Sequence, residues 1–87
     1  MKYEIHKGNR ERKLEASSYL HALKKFLGVR KMKYLTKVNF RKKFGKGTEV
    51  EVVRLYPNYD VVIYAYRVKK TPKGYYYCLF NMGAWKW

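Results

Sequence analysis

Hydrophobic and polar positions alternate at the start of the chain, which is typical of strands with one buried face. Residues 1–7 place Tyr3 and Ile5 on the apolar side, and a turn signal follows at Gly8. Residues 11–16 alternate again. The pattern therefore predicts two short strands joined as a hairpin.

One helix is predicted after this hairpin. The hydrophobic residues between Tyr19 and Leu27 recur at helical spacing. Ser17 or Ser18 can cap the first turn by accepting a backbone hydrogen bond, and Gly28 is a favourable C-terminal stop. Two lysines in the last turn suit the negative end of the helix dipole.

The segment KYLTKVNFRKKF, residues 33–44, separates into two sets when read as a strand. The first set is Tyr34, Thr36, Val38, Phe40 and Phe44; the second is Lys33, Lys37, Asn39, Arg41 and Lys43, with Leu35 interrupting it. Successive side chains of a strand point to opposite faces. The segment is therefore interpreted as a strand with an apolar face and a basic face.

Three further strands are predicted after a turn at residues 45–47. They cover residues 48–56, with a bulge near Val53, residues 59–69 in a central position, and residues 75–82. Turns are expected at Pro57-Asn58 and at 71–74. The predicted fold class is α+β: a single helix on a twisted, largely antiparallel sheet of about six strands. The order is β-β-α-β-β-β-β in one domain, residues 1–87, and the sheet could curl towards a barrel.

The charge of the chain is far from balanced. It has 21 Lys and Arg against 6 Asp and Glu, a formal net charge of +15. A small fold with this much like charge repels itself, which is typical of proteins whose partner is a polyanion. Nucleic acid, an acidic protein and an anionic membrane are the candidate partners.

Composition also predicts where the protein is located and what kind of organism it comes from. No run reaches the eighteen or so apolar residues of a spanning helix, and the N-terminus has no apolar signal region. Cys78 is the single cysteine, so an internal disulfide is excluded and a cytoplasmic, intracellular location is expected. The chain has no Gln and is rich in charge, a tendency of hyperthermophile proteins, and an archaeal or viral source is expected.

The basic strand face is the first candidate for phosphate contact. Same-face residues of a strand repeat at about 6.6–6.8 Å, similar to the separation of phosphates along a nucleic-acid strand. The alternative is a solvated edge strand that lysines protect from aggregation. The candidate nucleic-acid-binding residues are Arg30, Lys31, Lys33, Lys37, Arg41, Lys42, Lys43, Lys46, Arg67, Lys69, Tyr75, Tyr77 and Trp85.

Aromatic residues interleave with these cations. Ten tyrosines, two tryptophans and four phenylalanines exceed what one helix on a sheet would bury. Exposed Tyr beside Lys and Arg can stack on bases in single-stranded recognition, or tyrosine can line a small core with its hydroxyl in water. Trp85 and Trp87 either close the core or project as a stacking element.

No set of residues predicts a cofactor, a metal site or a catalytic group. His6 and His21 are the only histidines, and no zinc-ligand spacing is present. Glu49 and Glu51 share a strand face, where they could bind magnesium or pair with cations. Metal-independent RNA cleavage needs only His, Lys, Arg or Tyr around the phosphate, so a toxin that cleaves RNA in this way remains an alternative function.

Two segments resemble known families. RLYPNYDVVIYAY, residues 54–66, is similar to the central strands of RelE-type messenger-RNA-cleaving toxins, which are also small and basic. That family places two helices ahead of its sheet and usually has a basic residue where Asp60 stands, and no catalytic residue is transferred from it.

The segment KYEIHKGNRERKLEASSYLHALKKFLG, residues 2–28, resembles the methanogen chromosomal protein family, small monomeric archaeal DNA-bending proteins. The resemblance implies DNA binding by shape and charge, with a wedge at a bend. The Trp-bearing arm of that family is missing here, and Trp85 is its distant counterpart.

The preferred hypothesis is a non-enzymatic nucleic-acid-binding protein, monomer or homodimer, with low sequence specificity for DNA or RNA and no membrane partner. The first alternative is a mobile-element-type inhibitor or interaction protein that binds an acidic protein or a ribonucleoprotein. The second is the metal-independent RNase-type toxin.

Overall fold

The computed structural model describes the backbone of residues 1–55 and 60–86 and the side chains of residues 1–54 and 61–83. The strands are β1 (Lys2–Lys7), β2 (Arg10–Glu15), β3 (Met32–Tyr34), β4 (Thr48–Leu55), β5 (Asp60–Thr71) and β6 (Gly74–Lys86); the helices are α1 (Tyr19–Leu27) and α2 (Lys37–Phe44). The predicted Pro57-Asn58 turn and both tryptophan side chains lie outside the described residues.

The six strands form one sheet in the order β2-β1-β4-β5-β6-β3. All neighbours are antiparallel except β3, which runs parallel to β6. The α+β class, the largely antiparallel sheet and the central position of β5 are therefore confirmed. Because β2 and β3 are edge strands that do not pair with each other, the described sheet is open and the expected curl towards a barrel is not found.

The two helices pack on opposite faces of this sheet. In β6, Tyr75, Tyr77 and Leu79 pack with the α1 core, whereas Tyr76, Cys78 and Phe80 pack with Phe40 of α2. Strand side chains alternate between faces, so these two sets point in opposite directions. We refer to the two sides of the sheet as the α1 face and the α2 face.

The larger core lies under α1. Ser18 caps this helix by accepting the backbone N–H of His21, and Gly28 ends it in the left-handed conformation with φ 73°. Leu23 is fully buried against Ile5 of β1 and the valines of β4. The predicted hairpin and the predicted helix are both confirmed.

The prediction of a basic strand over residues 33–44 is wrong, because its greater part forms α2. Thr36 caps this helix by accepting the N–H of Asn39 at 3.2 Å. Phe40 and Phe44, one turn apart, pack on the sheet with their ring centroids 5.3 Å from each other. The chain therefore has two helices rather than one, and the element order is β-β-α-β-α-β-β-β.

The register also differs from the prediction at one point. β4 pairs with β5 without interruption from Thr48 to Leu55, so the bulge expected near Val53 is not there. The irregularity lies instead between β5 and β6, where Phe80 is the extra residue opposite Ala65 and Tyr66.

Candidate nucleic-acid interface

A cleft at the β3 edge of the sheet brings together lysines that are distant in the sequence. Lys24 comes from α1, Lys31 and Lys33 from β3 and its approach, and Lys73 from the turn between β5 and β6; Tyr75 lines the same cleft of ≈ 360 Å³. None of its described lining residues is acidic. The parallel pairing of β3 with β6 produces this convergence, because it sets Met32 beside Tyr75.

Two neighbouring clefts extend this surface on either side. Lys24 also lines a cleft with Arg30 at the end of α1, and Tyr75 lines a third cleft with Lys69 on the other side. The lining cations of the three clefts, which we call the basic band, are Lys7, Lys24, Lys25, Arg30, Lys31, Lys33, Lys69, Lys70 and Lys73. No acidic residue of the described chain lines any of these three clefts.

A second group of cations lies on α2 and the turn after it. Lys37, Arg41, Lys42, Lys43 and Lys46 are all exposed. Side chains one helical turn apart are separated by about 6 Å along the axis, so the spacing expected of the strand is nearly retained on the helix. Lys33 links the basic band to α2, since its Nζ lies 5.7 Å from the centre of the Tyr76 ring and the Nζ of Lys43 lies 4.9 Å from it.

The glutamates of the chain lie on the part of the sheet away from β6 and β3, although Lys25 of the basic band donates to the backbone carbonyl of Glu15 at 2.7 Å. Glu4, Glu11, Glu15, Glu49 and Glu51 lie on the adjacent strands β2, β1 and β4. Their cross-strand pairings place all five on the α2 face, because directly opposed residues of antiparallel strands share a face. The carboxylates are therefore separated from the central cleft along the sheet, because β5 and β6 lie between these strands and β3, while α2 shares their face.

Two predicted binding residues have other contacts. The guanidinium of Arg67 lies 4.3 Å from the ring centre of Phe80 and forms an ion pair with Glu49 at 3.9 Å, and its side chain is only 21 % exposed. Tyr77 contacts Tyr66 edge-on within the α1 core. Burial raises the pKa of Tyr77, and the nearby Tyr34 adds to this effect.

Five of the residues predicted from the sequence line the three clefts: Arg30, Lys31, Lys33, Lys69 and Tyr75. Another predicted residue, Trp85, has its backbone in β6. It missed Lys7, Lys24, Lys25, Lys70 and Lys73, whose role depends on tertiary contacts. It also missed Tyr34, which is 60 % exposed on the edge strand beside Lys33. Its position directly after Lys33 in the sequence was the feature that could have identified Tyr34 as a binding residue.

The two histidines lie on opposite sides of the sheet. His6 is opposite Glu11 and Glu51 on the α2 face, with its Nε2 3.6 Å from Glu4. His21 lies on α1, where its Nδ1 accepts the N–H of Ser17 at 3.0 Å. The sheet separates the two imidazoles, so they cannot act together as general acid and base on one phosphate.

One group of described residues has the composition of a metal site. Ligand atoms of Glu4, His6 and Glu11 lie within 4.8 Å of one another on the β1–β2 hairpin. Lys13 contacts the Glu4 carboxylate at 3.7 Å and supplies a positive charge there. Glu49 and Glu51 are the two residues considered above as a magnesium pair. Glu49 forms an ion pair with Arg67, and Glu51 lies opposite His6 on the neighbouring strand.

Comparison with protein-family models, curated proteins and solved structures finds no match to this chain. Among the described residues, neither helix has the length and apolar character required to span a membrane. The function is therefore inferred from the geometry and charge of the surface itself.

Proposed function

We propose that the protein binds nucleic acid through its phosphates, with the basic band as the principal contact surface and α2 as its extension. The observation that supports this most directly is the central cleft, where Lys24, Lys31, Lys33 and Lys73 converge from three separate elements. Four like charges in one cleft repel each other, and a polyanion relieves this repulsion.

Aromatic stacking is the second part of the proposal. Tyr34 is the exposed ring beside Lys33, and its edge contact with Tyr77, 5.6 Å between centroids, holds it on the sheet. A ring supported on one side and open on the other suits an unpaired base, and such stacking is tolerant of sequence. Tyr75 lines the central cleft and is placed to contact a sugar or base there.

The binding is expected to have low sequence specificity. Lysine contacts a phosphate as a point charge, and phosphate contacts position a protein on a nucleic acid without reading its sequence. Five to eight contacts predict a slope of log K against log salt of roughly −4 to −7 for a duplex. The slope is shallower for single strands because their charge density is lower.

Fluorescence anisotropy with labelled duplex DNA, single-stranded DNA and structured RNA tests the proposal. The expected result is binding to at least one of them, with a slope between low and moderate salt of about −4 to −7 for a duplex or about −3.5 to −5.6 for a single strand. Negligible binding of all three at low salt would overturn it and favour an acidic protein as the partner. RNA cleavage without added metal would instead favour the toxin hypothesis.

A further inference from the structure

The outer edge of β6 is paired along only part of its length. β3 pairs with Tyr75–Tyr77, and the last bond on that side is Leu35 N–H to the carbonyl of Tyr77 at 2.9 Å. β6 continues to Lys86 with β5 on its other side. Beyond the bulge at Phe80, no strand of the described chain pairs with this edge.

Between the bulge at Phe80 and Lys86, the free part of this edge has neither of the residue types that protect most edge strands. Edge strands are usually protected by charged residues or proline. β2, the opposite edge, reads RERKLE, with five charged residues in six. Residues 78–84 of β6 read CLFNMGA and contain neither a charge nor a proline. One edge of the sheet is therefore protected and the other is open.

The surface beside this edge is apolar and exposed. Met82 is 63 % exposed, and with Val62, Tyr64 and Gly83 it lines a shallow cleft of ≈ 310 Å³ on the α1 face. Exposed apolar surface next to an unpaired edge is typical of sites where another strand adds to a sheet.

We propose that β6 pairs antiparallel with β6 of a second copy of this chain, which makes one continuous sheet across a twofold axis. Charge selects this occupant. Residues 78–84 contain no cation to attract an acidic strand, so an uncharged strand is the better match, and β6 is itself such a strand. An axis that relates Gly83 to Gly83 of the second copy would set Met82 opposite Ala84, so that directly opposed residues share a face and no two lysines face each other.

The pairing would extend the nucleic-acid surface, and this consequence rests on the proposed function. A twofold axis perpendicular to the sheet places the same face of both copies on one side. The two α2 helices, each with four exposed cations, would then share that side. Two linked sites on one ligand raise the overall affinity without any new type of contact.

Sedimentation velocity of the protein without nucleic acid tests the pairing. Because each copy has a charge of +15, the fraction of dimer should increase from low to high salt, about 50 to 500 mM, as repulsion is screened. Phosphate binding weakens with salt, so the two proposals have opposite salt dependence and can fail independently. A wild-type protein that is monomeric at every salt concentration would overturn the pairing.

A matched pair of variants locates the interface. Met82→Lys and Val38→Lys each add one charge at an exposed apolar residue, 63 % and 62 % exposed, the first on β6 and the second on α2. Met82→Lys should weaken self-association about tenfold or more, while Val38→Lys should have a much smaller effect. Equal effects of the two variants would contradict pairing through β6, and so would a dimer that Met82→Lys leaves unchanged.

Discussion

Lys33 and Lys43 come from different elements, β3 and α2, yet both ammonium groups lie over one aromatic ring. That ring belongs to Tyr76, with distances from its centre of 5.7 Å and 4.9 Å. Attraction between a cation and an aromatic face offsets part of the repulsion between the two lysines. The contact joins the cations of α2 to the basic band, so one phosphate chain could contact both.

The position of α2 depends on Gly47, which adopts a φ of +68° under the ring of Phe40. A Cβ at this position would lie 2.6 Å from Phe40 Cε1 and 2.8 Å from Cζ. Gly47→Ala should therefore reduce the free energy of unfolding by about 1–3 kcal/mol beyond the backbone cost, as measured by urea denaturation.

Gly45→Ala is the control for this prediction. Gly45 has nearly the same φ, +71°, and a Cβ added there would meet no atom within 4 Å. Its ψ of −130° lies outside the left-handed helical region, so Gly45→Ala should lose only the backbone cost of a conformation that favours glycine, about 1–3 kcal/mol, without a clash. Equal losses in the two variants would show that contact with Phe40 does not position α2.

The reactivity of the Cys78 thiol tests whether α2 packs on the sheet. It is buried between the sheet and α2, with 1 % of its surface exposed. Burial raises the pKa of its thiol, and hydrogen bonding and charge from Arg67, with a smaller effect of Lys37, lower it by less. The native thiol should react slowly with a disulfide reagent near pH 8, since the thiolate is the nucleophile.

The sign of the associated pH dependence follows from the raised pKa. A thiol whose folded pKa exceeds its unfolded value stabilises the protein below the ordinary thiol range, and this contribution is lost as pH rises through the folded pKa. Cys78→Ser should flatten the alkaline loss of stability in thermal melts. Rapid labelling of the native wild type would contradict the burial of Cys78 under α2.

Tyr34 is expected to contribute to binding but little to folding. Tyr34→Leu should weaken binding to single-stranded DNA or RNA by about 1–3 kcal/mol, because a base loses its stacking partner. Tyr34→Phe keeps the ring and should retain most of the affinity. Thermal unfolding of both variants should remain close to wild type, since the side chain is 60 % exposed. If Leu and Phe bind equally well, Tyr34 does not stack.

The sequence was sufficient for the elements whose local signals agree. Alternation predicts the β1–β2 hairpin, and caps together with apolar spacing predict α1. The sequence misleads at α2 because positions four apart share a face in a strand as well as in a helix. Phe40 with Phe44, and Lys37 with Arg41, therefore fit either structure. Leu35 and Val38 distinguish the two: Leu35 packs beside Phe40, whereas Val38 is 62 % exposed.

The basic band could not be predicted from local pattern. Lys24 and Lys73 are separated by 49 positions and meet because β3 pairs in parallel with the start of β6. Parallel pairing requires a crossover connection between the two strands, and no short sequence motif predicts such a pairing. Charge alone indicated a polyanion as partner, but only the fold places specific lysines together.

The salt dependence of binding in two double variants tests whether the basic band contacts phosphates. Lys33→Gln with Lys73→Gln removes two charges from the central cleft; Lys2→Gln with Lys13→Gln removes two exposed charges from the β1–β2 hairpin. The first should reduce the salt slope by about 1.8 on duplex DNA, or about 1.4 on a single strand, and weaken binding about tenfold or more. The second should change the slope little. Identical slopes and affinities for both variants would contradict phosphate binding by the basic band.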